Sequence, residues 1–304
     1  MDRSRDDRGE TRRNPAPTDL TSTVELSFAQ CEDVRLRLIM QSLVRHLHAF
    51  AVDVRLTERE WQEGVDALTK SGQITTDERQ EFVLWSDVLG LSMLVDALAH
   101  PRREHATEST VRGPFWVGGS PEREYGDPIF DTAVGEPAWV HGRVIDIDGI
   151  PIGNAVLDVW QNDANQLYGA QDDAAPEAHL RGKFKTDDDG SYAFLGVRPV
   201  AYPIPSDGPV GVMLTATARH PWRPAHLRMI VSAEGYETLT THIFDADSPY
   251  LDSDAVFAVK PSLLRRFVHH TADDPERPAQ VVGDWWPVVN EIVLTPWTDD
   301  TITC

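Results

Sequence analysis

Three stretches of this chain carry side chains able to do chemistry: Gln166-Leu167-Tyr168-Gly169, Tyr202-Pro203-Ile204-Pro205, and His220-Pro221-Trp222-Arg223-Pro224-Ala225-His226-Leu227-Arg228. A phenol and an imidazole can each give or take a proton, and each offers a lone pair to a metal. A guanidinium does neither, because it stays protonated and has no lone pair. Taken singly, each stretch is a weak signal. A tyrosine before Pro-x-Pro usually just packs, and a histidine on a strand is more often a satisfied core residue than a ligand. The spacing in the third stretch says more. Residues two apart on a strand point to the same face, so Arg228 is expected to point where His226 points.

The three stretches gain weight from their company. Leu84-Trp85-Ser86-Asp87-Val88-Leu89-Gly90-Leu91-Ser92 and Glu108-Ser109-Thr110-Val111-Arg112-Gly113-Pro114-Phe115 precede them, and Thr240-Thr241-His242-Ile243-Phe244 and Tyr250-Leu251-Asp252-Ser253-Asp254-Ala255-Val256-Phe257 follow. In order and spacing, from about residue 25 to 268, the chain resembles the intradiol ring-cleavage dioxygenases. Thr240 to Phe244 and Tyr202 to Pro205 are most similar to the hydroxyquinol branch.

That resemblance implies a helical N-terminal dimerisation region on a β-sandwich catalytic domain, an α+β fold. It implies a homodimer with a lipid at its interface. It implies Fe(III) held by two tyrosines and two histidines, since phenolate is a hard anionic donor suited to a ferric ion. Carried over, the metal residues are Tyr168, Tyr202 and His226. Tyr202 would leave the ion to take the substrate's proton, and Arg223 would stabilise charge building on the ring. Leu84, Asp87, Val111, Arg112, Gly113, Pro114, Phe115, Ile204 and Pro205, with Arg223, would line the pocket. A catechol-type substrate such as hydroxyquinol would react with O2 to a muconate- or maleylacetate-type product.

Two positions depart from the pattern. The fourth ligand is a histidine in the family, and here Arg228 stands there. It removes a donor and repels a cation, so iron is expected to be held weakly or lost. An apolar pocket residue is replaced by Arg112, which either bends out to solvent on its apolar stem or enters the cleft. Three readings stay open: a ring-cleaving enzyme with a three-donor iron site; an iron-independent enzyme on the same scaffold; and an inactive binding paralogue. In the second, Arg112 and Arg228 would bind an acidic aromatic or polyphenol, with Tyr168 and Tyr202 as acid and base.

The elements that must position these residues fall into two kinds. Leu36, Ile39, Met40, Leu43, Val44 and Leu47 form a helical stripe. Thr57 with Glu60 forms a capping box before a second helix, with Leu56 able to staple onto Trp61. Thr75 with Glu78 repeats the signature before a third helix carrying Phe82, Leu84, Leu89, Met93, Leu94 and Val95. After His100-Pro101 short strands take over: Trp139 to Ile147, Ala155 to Trp160, Lys183 to Thr186, Ser191 to Leu195, Val212 to Thr217, His226 to Ser232 and Thr238 to Phe244. Asp187-Asp188-Asp189-Gly190 reads as a hairpin turn. The expected organisation is a solvated arm over 1–20, a helical dimerisation region over 21–105, and a β-sandwich over 106–304.

Bulk properties narrow the class. A net charge of −21 repels phosphate backbones and anionic lipids, so neither nucleic acid nor a membrane surface is an expected partner. Cys31 and Cys304, far apart in sequence, support no disulfide framework. The first residues lack an apolar signal core, and a cytoplasmic location is expected. The acidic run Asp245, Asp247, Asp252 and Asp254 reads as a solvated loop, and His269-His270 as surface. No G-x-S-x-G, H-E-x-x-H or phosphate-cradling loop occurs.

Overall fold

The computed structural model describes residues 17–297, apart from 77–78, 102, 131–134, 173 and 177. The chain divides into two compact units, Met1–Leu68 and Thr69–Cys304. In the first unit, α1 (Pro17–Ser27) is followed by α2 (Val34–Asp53), and α3 (Glu58–Ile74) starts there. Asp33 caps α2 by accepting from the Leu36 amide at 2.9 Å. The capping box of α3 forms as its spacing predicts: Thr57 N donates to Glu60, and Glu60 N donates to Thr57 Oγ1. The second capping box falls partly outside the described residues, at Glu78. The stripe of α2 stays open, with Leu36, Ile39, Leu43 and Leu47 about half exposed.

The second unit opens with α4 (Glu81–Val88) and α5 (Leu91–Ala99), bent by 77° from each other. The sequence predicts one helix through this stretch. Gly90 divides it, at φ +75, a left-handed conformation that costs glycine nothing. No single described helix is long and apolar enough to cross a membrane.

The strands follow: β1 (Pro137–Asp146), β2 (Val156–Gln161), β3 (Arg181–Lys185), β4 (Ser191–Val197) and β5 (Tyr202–Pro203). After α6 (Pro209–Ala216) come β6 (Trp222–Arg223), β7 (His226–Ser232), β8 (Leu239–Asp245), β9 (Leu264–Arg265), β10 (Trp286–Val289) and β11 (Ile292–Leu294). One sheet is built on β1, antiparallel to β4 and parallel to β10 and then β11. The other runs β3-β2-β7-β8-β9. The expected strand over Val212 to Thr217 is instead the helix α6, with Pro209 at its first turn, where proline's missing N–H costs nothing. The turn at Asp187–Gly190 forms, but no ladder joins the strands beside it. β3 pairs with β2 and β4 with β1, so the turn carries the chain between sheets.

The period of two then sorts the side chains. Leu157 and Val159 of β2, Leu227, Met229 and Val231 of β7, and Ile243 of β8 enter the main core with Val140 and Phe194. Trp160 and Ile230 belong instead to a separate cluster with Tyr168 and Tyr202. The opposite face of this second sheet therefore carries His226 and Arg228.

Candidate active site

His226 and Arg228 stand on one face of β7, two residues apart. Tyr202 comes to them on β5, which pairs with β6 through Tyr202 and Arg223. Tyr168 ends the loop before a short 3-10 turn, Gly169–Gln171, and stacks on Phe115 at 4.9 Å between ring centres. Tyr168, Tyr202, Arg223, His226 and Arg228 are all buried, none more than 2% exposed. Their polar ends converge. Tyr168 Oη lies 3.4 Å from both Tyr202 Oη and His226 Nε2.

The Arg228 guanidinium sits at the centre of this convergence. Its Nε donates to Tyr168 Oη and to His226 Nε2, each at 3.2 Å. Its Nη2 donates to Tyr202 Oη at 3.0 Å, and its Nη1 to the Arg112 carbonyl at 2.6 Å. Gly113 explains how the loop comes so close. A Cβ there would lie 1.7 Å from Arg228 Nη1, and the residue holds φ +73. Arg223 takes a different partner. Its Nε and Nη2 form a fork on Asp254 at 3.0 and 3.1 Å, and Nη1 reaches Tyr202 Oη and His226 Nε2.

The charges order the protons. His226 Nδ1 donates to the Pro224 carbonyl at 2.7 Å, which leaves Nε2 as the acceptor for both guanidiniums. Burial, then Arg223 and Arg228, hold its imidazole well below the ordinary value, so it is neutral. Burial pushes the Tyr202 phenol up, but Arg228 and Arg223 outweigh it and bring that phenol below its usual value. Tyr168 goes the other way: burial raises it and a charge on Tyr202 would raise it further, against the pull of Arg228. Two adjacent phenols are pushed apart, which is the condition for one base and one acid.

The ferric ion implied by the resemblance does not fit this arrangement. A metal bonds oxygen and nitrogen donors at roughly 2 Å. Here the Nε2 lone pair of His226 and both phenol oxygens already face N–H donors of a cation. Among the described residues, no group of three or more His, Cys, Asp or Glu side chains could hold a metal.

The expected pocket residues spread around this centre. Leu84 and Ile204 are buried in one cluster with Val88 and Val256. Asp87 is buried on α4, and burial raises its carboxyl. Val111, Gly113, Pro114 and Phe115 lie on the loop against Arg228 and Tyr168, partly exposed, and Pro205 is also half-buried. Arg112 turns its side chain onto the Trp116 ring, 4.6 Å away, so its carbonyl rather than its charge meets Arg228. That is the outward course open to it on its apolar stem.

The acidic run does not behave as a solvated loop throughout. Asp254 is the buried partner of Arg223, and Asp245 is a buried partner of Arg198 at 3.0 Å. His242, opposite Arg228 across the β7–β8 ladder, packs its ring 4.8 Å from that of His226 and bonds Thr110. Nothing in the spacing of the acidic run singles out Asp254. Only its place within Tyr250 to Phe257 could have marked it.

Comparisons with known proteins agree across the chain. Residues 33–107 match the family model described as "Catechol dioxygenase N terminus", and residues 111–287 the model described as "Dioxygenase". A 6-chlorohydroxyquinol 1,2-dioxygenase of Cupriavidus pinatubonensis is 50% identical over 83% of this chain and 91% of its own. A hydroxyquinol 1,2-dioxygenase of a Rhizobium species is 47% identical over 90% and 93%. The solved hydroxyquinol 1,2-dioxygenase of Pseudomonas putida superposes with a TM-score of 0.87, at 47% identity over 92% of this chain and 99% of that one.

Proposed function

The chain belongs to the intradiol ring-cleavage dioxygenase family, and on that premise we propose that its cleft takes hydroxyquinol or a closely related catechol. The reaction of this class opens the ring between the two hydroxyl-bearing carbons. Both atoms of O2 enter the product, one on each separated carbon, so no external reductant is needed. The product is of the muconate or maleylacetate type. The observation that carries this reading is the convergence of Tyr168, Tyr202, His226 and Arg223 in one buried cleft beside the Val111–Phe115 loop.

The family's enzymes use Fe(III). With Arg228 seated among the donors, the iron of this chain is weakly held or lost. The chain's own residues supply binding and charge. Arg223, held by Asp254, and Arg228 face the place where phenolic oxygens of a diol would lie, and they stabilise negative charge on the ring. Tyr202, with its depressed phenol, is the group able to take a diol proton, and Tyr168 the one able to return it.

The seat of Arg228 also favours a second reading: an iron-independent enzyme that works on an acidic aromatic or a polyphenol through those same groups, with Arg112 at the rim of the cleft. Oxygen uptake separates the two. Consumption of O2 in step with loss of hydroxyquinol supports ring opening. Conversion of the diol in the absence of O2 supports the second reading, and no conversion under either condition refutes both.

The open stripe of α2 supports a homodimer joined through residues 21–105, with a lipid against the same apolar side chains. The reaction and the two distant cysteines go with a cytoplasmic setting.

A further inference from the structure

We infer that Arg228 has replaced the ferric ion as the cleft's resident cation, so that the site holds the singly ionised form of a 1,2-diol without metal. This rests on the reading of the cleft as a diol site and goes beyond it. Every atom that would converge on an ion, Tyr168 Oη, Tyr202 Oη and His226 Nε2, converges instead on one guanidinium, at 3.0 to 3.2 Å. The loop closes on the same group through the Arg112 carbonyl, and at Gly113 there is no room for a Cβ. The cation is therefore built into the site by strand register and by loop shape.

The charge balance then calls for an anion. Two guanidiniums are buried side by side. Arg223 has a carboxylate fork in Asp254. Among the described residues Arg228 has no ion pair at all, and its partners are two phenols, an imidazole and a carbonyl. Asp87, the other buried carboxyl close by, shares no hydrogen bond with it. A guanidinium buried without a counter-charge is strongly destabilised. These partners use Nε–H and one N–H on each terminal nitrogen, which leaves one N–H on each for a ligand oxygen. A diol that has lost one proton brings a phenolate for that charge and a hydroxyl beside it. A neutral aromatic lacks the charge, and a dianion exceeds what one unmatched guanidinium can compensate.

The test uses the full chain, purified with chelator throughout, and 4-nitrocatechol, a diol whose visible absorption reports its ionisation. Wild type is expected to bind it as the anion, with a Kd that chelator or added Fe(III) changes by no more than roughly twofold. Arg228→Gln should weaken metal-free binding by roughly tenfold or more, the scale of one charge-assisted contact. Arg228→His should bind weakly until Fe(III) is added and then tightly. A wild type that binds the diol only after taking up Fe(III) overturns the inference and leaves the diol site standing. Metal-free Arg228→Gln binding as tight as wild type overturns it as well. No binding by wild type or by iron-treated Arg228→His overturns the diol reading and the inference together. The wild-type comparison with and without iron decides the matter even if neither variant folds.

Discussion

Asp254→Asn removes the only carboxylate, among the described residues, that pairs with either of the two buried guanidiniums. Asp254 accepts from Arg223 Nε and Nη2 at 3.0 and 3.1 Å, and from the amides of Val256 and Ala258 at 3.3 and 3.0 Å. An asparagine keeps one acceptor oxygen and turns an NH2 toward the other donors, so at least one donor meets a donor. It also leaves Arg223 and Arg228 with no bonded carboxylate among the described residues, since Asp87 acts on both only at a distance. Breaking one side of a buried pair costs about 3–5 kcal/mol. At roughly 2–4 °C per kcal/mol for a domain of this size, the unfolding midpoint should fall by about 6–20 °C. Circular dichroism melts of wild type, Asp254→Asn, Arg223→Met and the double variant measure it. The double variant should recover at least half of the loss, because removing Arg223 removes the stranded charge. An Asp254→Asn melt within about 1 kcal/mol of wild type, or a double variant worse than the sum of the singles, would show that the pair does not neutralise this site.

Gly113→Ala places a Cβ against Arg228 Nη1 at a left-handed φ, so it should displace the guanidinium and weaken 4-nitrocatechol binding. An Arg228→Gln background should blunt that loss, and equal losses in both backgrounds would place the effect elsewhere. His226 and His242 both have imidazoles held well below 6.5 by burial and then by neighbouring cationic groups. Their contribution is intact above the unfolded value and is lost as pH falls below it, because the unfolded chain then takes protons that the folded chain refuses. Two such groups give a slope of about 2.7 kcal/mol per pH unit well below 6.5, so the melting temperature should drop between pH 7 and pH 5. A slope of about half that size would mean that one of the two rings takes up a proton in the fold, and a flat profile that both do. Sedimentation at micromolar concentration should show a dimer, and Leu43→Glu on the open stripe of α2 should shift it toward monomer. A wild-type monomer contradicts the proposed use of that face.

Much of the site was legible because a strand has a fixed period. His226 and Arg228 had to share a face, and in the structure they do, with Leu227 and Met229 turned into the core. The capping box at Thr57 was legible for the same reason, since its geometry is local. What failed was decided by partners distant in sequence. Val212 to Thr217 is a short apolar run that suits a strand or a buried helix equally, and burial of Val210 and Leu214 in the cluster holding Leu84 made it a helix. The strands beside Asp187–Gly190 pair with β2 and β1 rather than with each other, which no turn signal encodes. Asp254 looks like any loop carboxylate until Arg223 is placed beside it. Gly90 sits inside a continuous apolar pattern, and only its φ shows where the helix breaks.

In this cleft a guanidinium occupies the place of the ferric ion. Wild type and Arg228→His can each be equilibrated with excess Fe(III), desalted, and measured for bound iron and for the visible tyrosinate-to-iron absorption. If the guanidinium holds that place, wild type retains little iron and shows no band, against near-stoichiometric iron and a clear band in Arg228→His. A wild type that retains a full complement of iron with the band, and a variant that gains nothing, would contradict it.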